Sequence, residues 1–207
     1  FMTQDLFKEP INLIITGVGG QGNVLASQVL GRMLIAKGLR VTIGETYGLS
    51  QRGGAVMSQV RISTRKTYGP MIPRGQADLV AGLEPLEVLR TLGQYGRPDI
   101  RVLTNDRPIY PINVLSGSSV YPATDTIHQT LEDLAREVWW LPITREALQL
   151  GNAILANMVM VGALIGTGLL PVTAEDFFPL AQSLWDPKRA ELNIRAIETG
   201  VQLVGCV

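Results

Sequence analysis

Gly17-Val18-Gly19-Gly20-Gln21-Gly22 has the spacing G-x-G-x-x-G, and the chemistry open to such a run is anion binding. Its glycines permit a tight turn and close backbone approach, while the free amides at the start of a following helix attract a phosphate. Glu45 follows Gly22 by 23 residues, where a dinucleotide-binding fold places the carboxylate that holds a ribose. Alone, the pair describes an NAD or FAD site in a self-contained oxidoreductase. The competing reading is a glycine turn that only lets strand and helix pack tightly, and on the motif by itself the two stand level.

The residues after Glu45 shift the balance. Glu45-Thr46-Tyr47-Gly48-Leu49-Ser50-Gln51-Arg52-Gly53-Gly54 gathers a carboxylate, a phenol, a hydroxyl, an amide and a guanidinium between glycines. A ribose-binding acid needs none of these companions, and loops of this makeup touch ligands or partners. Arg52 is suited to pair a carboxylate or phosphate, with Ser50 and Gln51 as orienting groups. Its alternative is a salt bridge to Glu45 that holds the loop's shape.

Other chemistries are excluded by count. One cysteine, Cys206, permits no disulfide within the chain and no four-cysteine cluster. The single histidine, His128, lies in a polar helical stretch and reads as solvated, so no metal site is expected. Eighteen basic and eighteen acidic residues cancel, which leaves no field to attract nucleic acid or an anionic membrane. With 46% hydrophobic and only 17% charged residues, and a mean hydropathy of +0.20, part of the surface is expected to be apolar and covered by another subunit.

The elements that must position these groups follow from periodicity. Residues 11–16 form a short apolar, β-branched run ending in glycines, as in a strand buried on both faces of a parallel sheet. A helix is predicted over 24–36 and a second strand over 39–44, a strand–helix–strand unit of the length a parallel crossover needs. Residues 45–54 read as an ordered loop and 55–62 as an alternating strand. Buried strands are predicted at 78–83 and 100–104, with a helix over 84–92 between them. Residues 106–122 are proline-rich and read as loop, with one short strand at 112–115. A helix over 124–136 and an apolar segment over 138–143 follow, whose Trp139 and Trp140 point to opposite faces.

The last third reads as helical: 152–170, 173–184 and 187–203. The first of these is apolar nearly all round, yet Asn152, Asn157, Gly162 and Gly166 interrupt it, which favours a buried helix over a membrane span. Gly162 and Gly166 would let a neighbouring helix approach closely. Asn152 and Asn157 are expected to satisfy backbone groups, and Glu9, Glu132 and Asp133 to be solvated. The first apolar run begins at Ile11 without a basic leader ahead, so the cytoplasm is the expected compartment. The chain is predicted to be one domain over 1–207, an α/β three-layer Rossmann-like fold with a largely parallel sheet and a helical C-terminal third.

These residues also resemble a known family. GVGGQG, then ETYGLSQRGGAVMSQVRIS, then Pro70 to Asp78, Gly82-Leu83-Glu84-Pro85-Leu86-Glu87 and the late Gly151-Asn152 are similar to the small subunit of indolepyruvate:ferredoxin oxidoreductases. More broadly they resemble the gamma subunit or domain of thiamine-diphosphate-dependent 2-oxoacid:ferredoxin oxidoreductases. The resemblance runs from about Ile11 to near Gly200.

The resemblance implies oxidative decarboxylation of a 2-oxoacid, with electrons passed to ferredoxin and the acyl group leaving on coenzyme A. It places thiamine diphosphate and iron–sulfur clusters on a larger partner and none on this chain, with the glycine turn (Gly17, Gly19, Gly20, Gln21, Gly22) and Glu45 to Gly54 facing the partner's active site. Tyr47 and Gln59 stand where this family more often has histidine. That removes any imidazole acid–base role at either position. A third reading is a purely structural interface subunit.

Overall fold

The computed structural model describes residues 6–48 and 54–205. Its elements run β1 (Ile11–Val18), α1 (Asn23–Ala36), β2 (Arg40–Tyr47), β3 (Ala55–Ser63), β4 (Leu79–Gly82), α2 (Pro85–Tyr95), β5 (Arg101–Asn105), α3 (Ile112–Leu115) and α4 (Thr124–Leu134). Then come β6 (Glu137–Leu141), α5 (Ile143–Gln149), α6 (Ala156–Gly166), α7 (Phe178–Leu184) and α8 (Pro187–Gly205), with 3₁₀ turns at Ala153–Leu155 and Ala174–Phe177.

β1 is buried along all eight of its residues. Leu13 and Ile15 face one side of the sheet and Ile14 the other, as a strand covered on both faces requires. Strand order is β2-β3-β1-β4-β5-β6. β1, β4, β5 and β6 pair in parallel, while β3 is antiparallel to both β1 and β2. The sheet is therefore mostly parallel, as expected, with one strand reversed.

That reversed strand corrects two expectations. β1 and β2 do run parallel across α1, but they are not neighbours. β3 returns from β2 and takes the place beside β1, with Gln59 opposite Ile14 on one side and Gly44 on the other. Glu45, Thr46 and Tyr47, expected in a loop, pair with Ser58, Met57 and Val56. β2 is an edge strand, and an edge accepts exposed polar side chains that a central strand would exclude.

Two layers of helix cover the sheet. α1, α5, α6, α7 and α8 pack on the face carrying Leu13, Ile15, Leu79 and Leu103, and α2 and α4 on the face carrying Ile14, Val80 and Val102. Over β2 and β3 that second face is closed by the segment leading to β4. The amide of Ile72 donates to Gln59 Oε1 at 2.6 Å, and Arg61 donates to the carbonyls of Gly69 and Met71 at 3.2 and 3.3 Å. Trp139 joins the first core and Trp140 the second, as their alternation predicts. His128 is not simply solvated: it is half-buried and stacked on Trp140 with ring centroids 4.5 Å apart.

The predicted helix over 152–170 is shorter and starts with a 3₁₀ turn, and Gly168 (φ +67°) follows its end. Every residue of α6 from Ala156 to Ile165 is buried, which accounts for its all-round apolar character. Gly162 and Gly166 are where α8 crosses it. A methyl on Gly162 would lie 2.1 Å from the Ile197 carbonyl oxygen, and one on Gly200 would lie 2.0 Å from that of Val159. No helix among the described residues is long and apolar enough to cross a membrane.

Three smaller corrections have local causes. Residues 112–115 form a helical turn, because the Pro111 carbonyl accepts from the amides of Val114 and Leu115 at 3.0 and 3.1 Å. α5 was not anticipated; Pro142 ends β6 and stands at the N-cap of the helix. Glu9 is half-buried rather than solvated, accepting from the Thr64 amide at 3.0 Å and from the Ser63 hydroxyl.

Candidate functional site

The parallel strands end along one edge, where open α/β sheets collect ligands, and the glycine turn lies there after β1. Gln21 folds back over the turn. Its Oε1 accepts from the Val18 amide at 2.7 Å and its Nε2 donates to the Leu83 carbonyl at 2.8 Å. A methyl on Gly17 would meet that Oε1 at 2.5 Å, and one on Gly22 would meet Asn157 Nδ2 at 2.3 Å. Gly22 stands at the N-cap of α1 with φ +84°, a left-handed conformation that favours glycine. Gly17 and Gly22 are thus explained by packing within the chain. Gly20 (φ +98°) has nothing within 4 Å of where its Cβ would be, and it faces solvent-filled space.

Glu45 does not sit where a ribose would need it. In the dinucleotide fold the acid ends the strand beside β1, but here β3 intervenes, which adds about 4.8 Å of lateral displacement. Its carboxylate instead accepts from the Tyr47 hydroxyl. Tyr47 is 61% exposed, and the bond to Glu45 holds its phenol above the ordinary range.

Two backbone bonds fix the feet of the β2–β3 hairpin. The Gly48 amide donates to the Ala55 carbonyl at 2.8 Å, and the Gly19 amide donates to the Gly54 carbonyl at 2.9 Å. The second bond joins the hairpin to the glycine turn, so these two sequence-predicted elements do share one edge. Ser50, Gln51, Arg52 and Gly53 lie outside the described residues.

A cleft of about 520 Å³ opens beside Gly20 and Gln21, walled by Arg107, Ile109, Thr144 and Asn152. Sequence reasoning missed most of this wall. Asn105 builds it: its Oδ1 accepts from the Thr144 amide at 3.0 Å, and its Nδ2 donates to Thr144 Oγ1 at 2.9 Å and to the Leu83 carbonyl at 3.3 Å. Gln21, Leu83, Asn105 and Thr144 thereby stitch together the ends of β1, β4 and β5 and the start of α5. The available signal was the polar run Asn105-Asp106-Arg107 directly after a buried strand. Arg107 also borders a second, shallower depression with Arg145. Burial raises the neighbouring Asp106 carboxyl above its usual range, and the Arg145 and Arg107 guanidinium groups oppose this.

Asn152 behaves as expected, capping the 3₁₀ turn by accepting from the Ile154 amide at 3.0 Å. Asn157 is buried against Gly22. Among the described residues lining the cleft, Arg107 is the one cation, beside open backbone at a sheet edge whose exposed apolar side chains include Ile109, Tyr110 and Ile154. Such a surface can grip an anionic group and dock against another protein. It presents no nucleophile paired with a base among the described residues.

Comparison with known proteins gives a consistent picture. Residues 12–203 match the family model described as pyruvate ferredoxin/flavodoxin oxidoreductase. The chain is 36% identical over 192 residues to indolepyruvate oxidoreductase subunit IorB of Thermococcus kodakarensis, covering 92% of this chain and 94% of that one. It is 29% identical over 197 residues to 2-oxoglutarate synthase subunit KorC of Methanothermobacter thermautotrophicus, covering 92% and 93%. The fold is shared with the keto/oxoacid ferredoxin oxidoreductase gamma subunit of Geobacter sulfurreducens at a TM-score of 0.68 and 22% identity, over 96% of this chain and 98% of that chain. It is also shared with 2-oxoglutarate:ferredoxin oxidoreductase of Magnetococcus marinus at a TM-score of 0.73 and 18% identity, over 97% of this chain and 32% of that longer one.

Proposed function

The chain belongs to the pyruvate ferredoxin/flavodoxin oxidoreductase family, and from that premise we propose that it is the gamma-type accessory subunit of a 2-oxoacid:ferredoxin oxidoreductase acting on indolepyruvate or a related arylpyruvate. The relatives named for indolepyruvate are 33–36% identical to it, against 26–29% for those named for 2-oxoglutarate, which supports the arylpyruvate reading. The reaction converts the 2-oxoacid to an acyl-CoA and delivers electrons to ferredoxin. Thiamine diphosphate and the clusters belong to a larger cytoplasmic partner, since one cysteine cannot ligate a four-cysteine cluster. Coenzyme A is the co-substrate.

The observation that carries this reading is the meeting of glycine turn, hairpin feet and Arg107 cleft on one sheet edge. In the complex that edge closes over the partner's active site. Arg107 holds an anionic group of a substrate, Arg52 supplies a second positive charge from the hairpin, and the surrounding apolar residues exclude water. The chain binds and orients; it does not itself form or break bonds.

The test is co-expression with the large subunit and assay of 2-oxoacid-dependent ferredoxin or viologen reduction, with R52A and R107A variants. Assembly should persist while turnover or substrate affinity drops. Oxoacid oxidation by the pure solitary chain, or unchanged kinetics in both variants, would overturn the proposal.

A further inference from the structure

We infer that Glu84 is a positioning residue that sets where the Arg107 wall of the cleft stands. Its carboxylate is 1% exposed and does three things. Oε2 accepts from the Glu87 amide at 2.9 Å and so caps α2. Oε1 accepts from the Tyr121 hydroxyl at 2.5 Å and from the Ile109 amide at 3.4 Å. Ile109 and Tyr121 stand at the two ends of the excursion between β5 and α4 that carries α3. The rings of Tyr110 and Tyr121 meet edge to face at 5.1 Å and close the same two ends.

Arg107 is held from both sides by this arrangement. Its carbonyl accepts from Asn105 Nδ2 at 3.5 Å, and two residues later the Ile109 amide reaches Glu84. The carbonyl of Leu83, one residue before Glu84, takes the bonds from Gln21 and Asn105. Two consecutive residues at the β4–α2 junction therefore tie the glycine turn, the end of β5 and the excursion to one point. This gives a physical role to the Gly82-Leu83-Glu84-Pro85-Leu86-Glu87 run.

The choice of glutamate points beyond helix capping. Serine, threonine, aspartate and asparagine are the preferred N-caps, and any of them would serve α2 alone. Only a longer acid spans both the helix amide and the donors on the excursion. A buried carboxylate is costly unless its lone pairs are filled, and here three donors fill them, one of them the Glu87 amide at the N-terminus of α2. Burial, then the bond to Glu84, push the Tyr121 phenol above its ordinary range, so it remains a donor.

The kinetic part of this inference rests on the function proposed above; the structural part does not. In the full chain, hydrogen exchange of residues 106–123 should rise in E84D and in Y121F, while α2 stays protected as in the unsubstituted protein. Y121F leaves the helix cap untouched and keeps the test valid should E84D fold poorly. In the reconstituted complex, whichever KM (oxoacid or coenzyme A) is raised by R107A should rise roughly tenfold in E84D, with kcat little changed. The double variant should be no worse than R107A. Unchanged exchange over 106–123 in both variants overturns the inference, as does a raised KM in R107A but not in E84D. Raised exchange together with an R107A that leaves both KM values unchanged removes the functional reading and leaves the anchor standing.

Discussion

Gln21 Nε2 donates to the Leu83 carbonyl oxygen at 2.8 Å, binding the glycine turn to the end of β4. The same carboxamide takes the Val18 amide through Oε1. Together with Asn157 against Gly22 and the outward displacement of Glu45, this ties Gly17, Gln21 and Gly22 into the packing of their own chain and leaves Gly20 open.

The expected consequence is that the chain does not bind a free dinucleotide. Calorimetric titration with NAD and with FAD should give no heat of binding up to millimolar ligand. Micromolar binding of either would restore the self-contained oxidoreductase. Q21A, in turn, strips the Val18 amide and Leu83 carbonyl of a partner and should cost about 1–3 kcal/mol in urea unfolding.

Two glycines should respond oppositely to alanine. G162A drives a methyl to 2.1 Å from the Ile197 carbonyl oxygen and must separate α6 from α8, for a loss of about 3 kcal/mol. Gly93 lies within α2 with nothing within 4 Å of its would-be Cβ, so G93A should gain about 1 kcal/mol from helix propensity. Urea midpoints measured side by side give both signs.

Acid stability should carry the imprint of Asp176. Burial pulls its carboxyl upward, but Lys37, 2.8 Å away, and the Thr173 amide outweigh it and hold the group below its ordinary 3.8. An acid depressed in the folded state contributes stability that is complete above the unfolded value and is lost as pH falls through the folded one. The melting-temperature advantage over D176N should therefore shrink as pH is taken through and below 3.8. An advantage constant across that range would contradict the assignment.

Much of the fold was legible because burial on both faces writes continuous apolar runs: β1, β4 and β5 were recognisable on that ground alone. The one-turn spacing of Gly162 and Gly166 on an apolar helix likewise foretold a close approach by a neighbouring helix, which is α8. Strand order was not legible, because alternation in β3 says which face is wet and not which strand lies alongside. Glu45 to Tyr47 looked like loop because an edge strand carries the same polar side chains. At the site, the glycine turn was visible, but Gln21's destination is a carbonyl 62 residues away, and no local pattern encodes it. Arg107 and the Glu84 tie lie in or across a segment without period, where sequence spacing carries no information about contact.

The reversed β3 has one more implication. Because it is sandwiched between β1 and β2, both stems of the arm that bears Arg52 are rooted in the sheet, one of them bonded directly to the glycine turn. The points at which the connection leaves and rejoins the sheet are thereby fixed beside the glycine turn.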